Sequence, residues 1–419
     1  MIKQIFKQIW TERRHNSWLL LELAAVTFFL FVMTDFLWVK LKNYTEPKGF
    51  DIENTYLLKL KTVAPIAAHY IDPEREGAPS PVEELYAIVE RIRLYPDVEN
   101  LSLSIYAPPY STGGYWRSLQ VDSTQTQGIR CRQVTPSYFD VFRIRTIDGH
   151  PLTMEETGYQ QVILTKDIAE LLYGNVSQAI GSTLTYTENN EDSSRVAAVT
   201  GLLKTHELAP YEGACYTPLT TQGLEGFTRH NSITRIDICL RIRPGAARHF
   251  EDNFIPDMGD RLKENNLYVS SVVSSAQLRD NIVGKILRED VLPMTWVMLF
   301  VLVTVFLGVF GAFWLRTRQR RSDIGIRMAM GAGKSAIRRA TILEGLCLMA
   351  LSLPPAFLVY LNMLAADVLD TYRLPFTFGR TVIALLATLL ITSAIIVGGI
   401  WQPATRAASV PPVDALRDE

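Results

Sequence analysis

The chain has 419 residues, 48% hydrophobic and 20% charged, and its 42 Lys and Arg against 43 Asp and Glu leave a net charge of −1. That balance excludes a disordered chain and a generally basic nucleic-acid binder, so no nucleic-acid partner is expected. The charge is uneven: residues 1–40 and 291–419 are net positive and rich in apolar side chains, whereas residues 41–290 are net acidic. The pattern reads as an α+β membrane protein carrying a large water-exposed insert.

In chain order, residues 1–16 place Ile2, Ile5, Phe6, Ile9 and Trp10 near one helical face and Lys3 and Lys7 on the other, as in a short cytoplasmic helix lying in the bilayer interface. Residues 17–39 form the first apolar window long enough to span hydrocarbon. The window is longer than a signal-peptide core and no small-residue cleavage site follows, so it is read as retained. Glu22 and Asp35 are costly within it. Each lies near an interface and is expected to reach water there.

Residues 40–290 suffice for a sizeable folded extracytoplasmic domain. NTYLLKLKTV reads as a strand. PVEELYAIVERIRLYP reads as a helix with Pro81 early and Leu85, Ile88, Val89 and Ile92 at core spacing, and LSLSIYA as a strand. Later, ITRIDICLRIRP, AARHFEDNFIPDMGDRLKENN and LYVSSVVSS repeat strand, helix, strand. Two β-α-β pieces, 48–107 and 232–280, therefore flank a β-rich, loop-rich insert at 108–231, with turn signals at Gly113-Gly114, Asp148-Gly149 and Gly174-Asn175. The split α/β part is expected near the membrane and the insert distal to it. Cys131, Cys215 and Cys239 fall in this domain. Three thiols allow at most one pair, their spacing fits no zinc pattern, and small buried unbonded residues are an equal reading, so pairing stays open.

Three further spans follow at 291–315, 342–366 and 381–401, the third interrupted by Pro354 and Pro355 and expected to kink. The 316–339 loop carries Arg316, Arg318, Arg320, Arg321, Arg327, Lys334, Arg338 and Arg339, whereas the 367–380 loop has only Arg373 and Arg380. The positive-inside rule then places both termini, the 316–339 loop and the 402–419 tail in the cytoplasm of an inner (plasma) membrane. Glu344 is expected to pair with the arginines before it.

Catalytic signals are weak. GAGKS at 331–335 lacks the first glycine of a phosphate loop, since Met328 stands there, and no buried strand leads into it. The six histidines are scattered, and no H-E-x-x-H, G-x-S-x-G or C-x-x-C occurs. Neither catalysis, cofactor nor metal is expected. The unusual segment is RTRQRRSDIGIRMAMGAGKS. Ser322 is placed to cap a short helix begun by Asp323, Ile324 and Met328 share a face, and Gly331 and Gly333 end it. Such a stiff amphipathic element suits a groove on another protein. The plainer alternative is a positive loop touching lipid headgroups.

At this loop the sequence resembles the MacB/FtsX family of ABC-transporter membrane subunits, the type VII class. Arg320, Arg321, Asp323, Ile324, Gly325, Ile326, Arg327, Ala329, Met330, Gly331 and Ala332 match R-R-x-E-I-G-[IV]-R-x-A-[IML]-G-A, with Asp323 in place of Glu. In the tail, Pro403, Ala404, Arg406, Ala407, Ala408, Pro412, Val413, Ala415, Leu416 and Arg417 match P-A-x-R-A-A-x-x-x-P-V-x-A-L-R. VTPSYFDVFRIRTIDGHPL is similar to the outer-domain motif V-[ST]-P-x-Y-F-x-[VT]-F-x-[IL], and VILTKDIAELLYGNVSQAIGSTL to the helix and Ile-Gly turn after it. The one-plus-three layout of spans agrees.

The resemblance implies a non-catalytic permease that transmits ATP-driven motion from the cytoplasm to the outer domain. Two permease chains, identical or related, pair with two separate ATPase subunits. The helix near 322–330 couples to the ATPase through Arg321, Asp323, Ile324, Arg327 and Met328. The outer pieces resemble porter (48–107 and 232–280) and sabre (108–231) subdomains, and a periplasmic adaptor or outer-membrane channel would complete an export system. The alternative is an FtsX-like regulator that activates an extracytoplasmic cell-wall hydrolase.

Overall fold

The computed structural model describes residues 11–409 apart from 12, 69, 73–74, 76, 112, 155–160 and 188. The interfacial helix expected at 1–16 lies almost wholly outside the described residues, as do Pro412, Leu416 and Arg417. The chain divides into a membrane unit, Met1–Asn43 with Ile286–Glu419, and a second unit, Tyr44–Lys285.

Helix α1 (Arg13–Thr45) is followed by β1 (Thr55–Thr62), α2 (Pro81–Arg93) and β2 (Val98–Ile105). The insert supplies β3 (Tyr115–Arg117), β4 (Leu119–Val121), β5 (Thr124–Gln125), β6 (Ile129–Val134), α3 (Tyr138–Val141) and β7 (Gln161–Thr165). It continues through α4 (Lys166–Tyr173), α5 (Val176–Ala179), β8 (Thr183–Tyr186), β9 (Asn189–Thr200), β10 (Ala214–Pro218) and α6 (Thr221–Thr228). The chain returns as β11 (Ile236–Ile242), α7 (Phe250–Met258), β12 (Lys263–Glu264) and β13 (Leu267–Ser274). Helix α8 (Ser275–Ile286) leads through a π-helical turn, Leu287–Val291, into α9 (Leu292–Gln319). Helices α10 (Arg321–Ala329), α11 (Lys334–Ala365) and α12 (Phe378–Ala407) complete the chain.

In the second unit, β13, β1, β11 and β2 lie side by side, all antiparallel neighbours, so the two β-α-β pieces interleave. Leu58, Ile238 and Leu103 sit directly opposite one another across three strands. Period-2 alternation sends Leu58, Leu60, Leu101, Leu103, Ile238 and Leu240 to one face, under α2 and α7. Helix α2 starts where the sequence dictates: Ser80 and Glu83 form a reciprocal capping box with Pro81 just inside, and Leu85, Ile88, Val89 and Ile92 are buried.

The opposite face receives the VTPSYFDVF motif. Tyr138, Phe139, Val141 and Phe142 are fully buried there with Leu57, Tyr216 and Cys239. Arg241 is buried among them and spends its donors on three main-chain carbonyls, those of Val141, Glu53 and Asp51. The motif is thus core, because its aromatics fill the face that the small residues Ser102 and Ser104 leave open. Pairing of Ser104 with Val134 carries the sheet on from β2 into β6, so the insert extends the same sheet through β10, β7, β9, β8, β4 and β5. A further core, with Val162, Leu164, Ile168, Leu172, Leu184 and Val196, lies under α4.

Among the described residues, four helices are long and apolar enough to cross a membrane: Ser17–Thr45, Ser275–Gln319, Lys334–Ala365 and Phe378–Ala407. Each overshoots the apolar window read from sequence, because backbone hydrogen bonding continues into the polar flanks. Helix α11 runs unbroken through Pro354 and Pro355, both exposed, where the sequence suggested interruption. Their exposed rings do not crowd neighbouring helices, and the cost that remains is local, the lost N–H bonds and the crowding of each ring on the carbonyl one turn back. Val305, Val309, Phe313, Leu348, Ile396 and Ile400 form the bundle core with Leu19 and Leu23. Gly345 and Gly399 allow close packing, since a Cβ on the first would run into Ile400 and on the second would press on Val309.

Candidate functional site

The arginine-rich end of the membrane unit is built around α10. The helix starts at Arg321, and neither Arg320 nor Ser322 caps it with a side chain, so Ser322 sits inside the first turn and does not cap it as its residue type suggested. At the other end Gly331 adopts φ +96°, a conformation open to glycine, and turns the chain toward α11. Glu344 of α11 is buried and accepts from Arg316 at 2.9 Å and from Arg320 at 3.1 Å on both carboxylate oxygens. The pair expected from sequence is therefore present, and it ties the last turn of α9 to α11 directly beneath α10.

Asp323, Ile324 and Arg327 line one cleft together with Arg316, Arg320, Ile337 and Glu344. Ile324 and Met328 are half-buried, and Asp323 and Arg327 are exposed. Arg321 lines a second cleft with Trp314, Arg318, Pro403 and Arg406. The loop and tail motifs, some eighty positions apart, thus meet at one place. Arg406 stacks over Trp314 at 4.8 Å and Arg338 over Trp401 at 4.5 Å, an arrangement of guanidinium on indole suited to a membrane boundary. The coupling set expected from sequence left out two exposed side chains that its loop motif contains, one on α10 and one just past its end. Ile326 and Met330, four residues apart, are 45% and 75% exposed. Their i,i+4 spacing was a usable signal.

At the opposite end of the bundle Asp35 is buried, 2% exposed, and does not reach water. Arg380 grips it with Nε at 2.7 Å and Nη2 at 2.6 Å, and the Tyr360 hydroxyl donates to it at 3.2 Å. Nη1 of Arg380 donates to the carbonyls of Asp370, at 3.0 Å, and Leu374. Helices α1, α11 and α12 are thereby joined by one satisfied charge pair. The sequence reading took Arg380 for a loop residue and missed it; its position at the outer edge of the fourth span, on the same side of the membrane as Asp35 near the outer end of the first, was the available signal. Glu22 lies over Gly308 of α9, where a Cβ would meet its carboxylate.

In the second unit one carboxylate gathers three elements. Glu207, 5% exposed, accepts from Lys48 at 3.2 Å, Arg279 at 2.6 Å and the Tyr110 hydroxyl at 2.9 Å. Burial alone would raise this carboxyl, but the Arg279 bond, with Lys48 and Tyr110, holds it below the ordinary value. Burial first and then the Glu207 charge push the Tyr110 phenol well up. Beside it Lys204, fully buried, pairs with Glu46 at 3.1 Å. Lys48 lies just after α1 and Arg279 lies in α8, so both chain segments that enter this unit are fastened to the same insert loop.

Among the described residues no cluster of His, Cys, Asp and Glu is placed to hold a metal. What the arrangement offers is mechanical linkage, helix to helix through buried charge.

Comparison with known proteins fits this description. Residues 24–249 match the model of a MacB-like periplasmic core domain, and residues 296–412 that of the FtsX-like permease C-terminal region. The chain is 24% identical over 293 residues to the macrolide export ATP-binding/permease protein MacB 1 of Yersinia pestis, covering 68% of this chain and 43% of the relative. It is 32% identical over 139 residues to MacB of Escherichia coli O157:H7, covering 33% and 21%. The chain thus spans less than half the length of these relatives. Among solved structures, the periplasmic region of MacB from Actinobacillus actinomycetemcomitans covers 58% of this chain at 12% identity and TM-score 0.31. The extracellular domain of the transporter YknZ from Gram-positive bacteria covers 52% at 15% identity and TM-score 0.32.

Proposed function

Since this chain belongs to the family with a MacB-like periplasmic core domain and an FtsX-like permease region, and is a permease component of such an ABC transporter, we propose that it relays the motion of an ABC ATPase to its extracytoplasmic domain. The arginine-rich end faces the cytoplasm, with both termini. A dimeric ATPase grips α10 there, a second permease chain completes the assembly, and cargo handling takes place outside the membrane, together with an adaptor or outer-membrane channel if the process is export.

One observation carries the reading. Helix α10 is short, and at its N-terminal boundary the Arg316–Glu344–Arg320 cluster ties the end of α9 to α11, so a displacement of α10 is passed to both through Arg320. A two-state engine that shifts a rigid element shifts whatever is rigidly joined to it. The exposed Ile326 and Met330 give the grip an apolar contact, and Asp323 and Arg327 surround it with charge.

The test is substitution on α10. Ile324→Asp, Ile326→Asp and Met330→Asp each leave membrane insertion intact and abolish stimulation of the partner's ATPase. Normal stimulation and normal cellular function in all three would overturn the assignment. Identification of co-isolated proteins from the native complex then separates the outcomes: an ATPase with an outer-membrane channel indicates export, whereas an extracytoplasmic cell-wall hydrolase indicates the regulatory alternative.

A further inference from the structure

We propose that Cys131 and Cys215 are joined by a disulfide bond in the extracytoplasmic domain. Strands β6 and β10 are adjacent and parallel, and their register sets Cys215 directly opposite Cys131. Neighbouring strands lie about 4.8 Å apart. That is within the roughly 4.4–6.8 Å between Cα atoms that a disulfide spans. Both side chains enter the same core beneath α4, 3% and 0% exposed, and their sulfur atoms are 2.6 Å apart.

The other two cysteines are elsewhere. Cys239 on β11 belongs to the core around Tyr138, where its sulfur meets the Ser104 hydroxyl at 3.9 Å. Cys347 is in the membrane helix α11. The odd thiol count of the domain therefore resolves into one pair and one isolated Cys239. The compartment outside the membrane is oxidising, so an adjacent pair there is normally found bonded.

Formation needs an oxidant, and the chemistry names its class: a disulfide-bearing thiol oxidoreductase of the extracytoplasmic space. The thiolate of one cysteine attacks the donor disulfide, breaking its S–S bond and releasing one donor thiolate. The second cysteine attacks the resulting mixed disulfide, forming the Cys131–Cys215 bond and releasing the donor's other thiolate. The two electrons and two protons end on the donor as a dithiol. The step precedes closure of the core, because no donor reaches side chains this deeply buried. In a folded chain that is still reduced, the contact with Cys131, and then burial, raise the Cys215 thiol and keep it un-ionised and inert. The bond closes an 84-residue separation and staples β6 to β10, next to the β2–β6 pairing through which the insert joins the rest of the sheet.

The experiment uses the full chain from membranes, denatured directly into an alkylating reagent without reductant, then digested and weighed. The expected result is alkyl groups on Cys239 and Cys347 alone and a linked peptide pair containing Cys131 and Cys215; prior reduction places alkyl groups on all four cysteines. Alkylation of Cys131 and Cys215 without reductant, or a linked pair containing Cys239, overturns the proposal. Cys131→Ala is expected to leave Cys215 fully alkylated without reductant, and continued protection of Cys215 in that variant also overturns it. Should the variant fail to accumulate, the unmodified chain decides alone.

Discussion

A carboxylate on α1 and a guanidinium on α12 would each be prohibitive if placed alone in hydrocarbon, and Asp35 and Arg380 are tolerated because they pair with each other and all three guanidinium nitrogens and both carboxylate oxygens are hydrogen-bonded. Removing one partner leaves an uncompensated buried charge. Asp35→Leu and Arg380→Met are each expected to cost about 3–5 kcal/mol. The double substitution should recover most of that loss, measured as unfolding of the detergent-solubilised chain. Additive losses in the double would show that the two groups act independently. Glu207 gives a second residue-scale expectation, in pH. Its carboxyl is held below the ordinary value in the folded state, so the unfolded chain binds the proton more tightly. The stabilisation is complete above the ordinary glutamate value of about 4.3 and is lost as pH falls through the lower folded value. Glu207→Gln should therefore be less stable than the unsubstituted chain at neutral pH, with the gap closing below about pH 4. A gap that persists unchanged into acid would rule out the charge as its origin. The difference in how legible these pairs were is instructive. Glu344 follows its arginines by a short helical hairpin, so its partner could be read from the chain. Asp35 and Arg380 are 345 positions apart, and only the packing of three helices brings them together.

Elements whose ends are set by local chemistry were legible, and those set by neighbours were not. Helix α2 begins at its capping box and buries the four apolar residues that its spacing announced. Helix α10 looked equally local, with a serine and an aspartate at its start, yet it begins two residues earlier with no side-chain cap. Its start coincides with a tertiary anchor, Arg320 just before it, held with Arg316 by the Glu344 carboxylate. Glu344→Ala is accordingly expected to loosen α10 without melting the bundle. Amide exchange across residues 321–329 should accelerate by roughly tenfold, about 1.4 kcal/mol of local opening, while exchange in the middle of α12 stays unchanged. Equal acceleration in both places would mean that the carboxylate supports the whole bundle and does not specifically fasten the short helix.

At the scale of the molecule, the split of the α/β strands around an insert was visible as two separated β-α-β patterns. The continuation of one sheet from β2 through β6 into the insert was not, because it depends on two register pairs, Ser104 with Val134 and Ile105 with Gln133, that carry no sequence signature. Orientation across the membrane rests on charge, and charge makes it testable in the intact chain. On the proposed orientation, the cost of moving arginine through the bilayer is expected to keep the segment with Arg316, Arg318, Arg320 and Arg321 on the side of synthesis, opposite the domain between α1 and α9. Single cysteines at exposed or half-buried positions can report this with a membrane-impermeant maleimide. Gln125→Cys in the insert and Tyr372→Cys in the short α11–α12 loop should be labelled in intact cells. Ser322→Cys at the start of α10 and Ser409→Cys just past α12 should be labelled only once the membrane is permeabilised. The buried native cysteines in the outer domain keep the background low. Labelling of Ser322→Cys from outside would place α10 beyond the reach of any cytoplasmic ATPase, and the proposed relay would then have no engine to drive it.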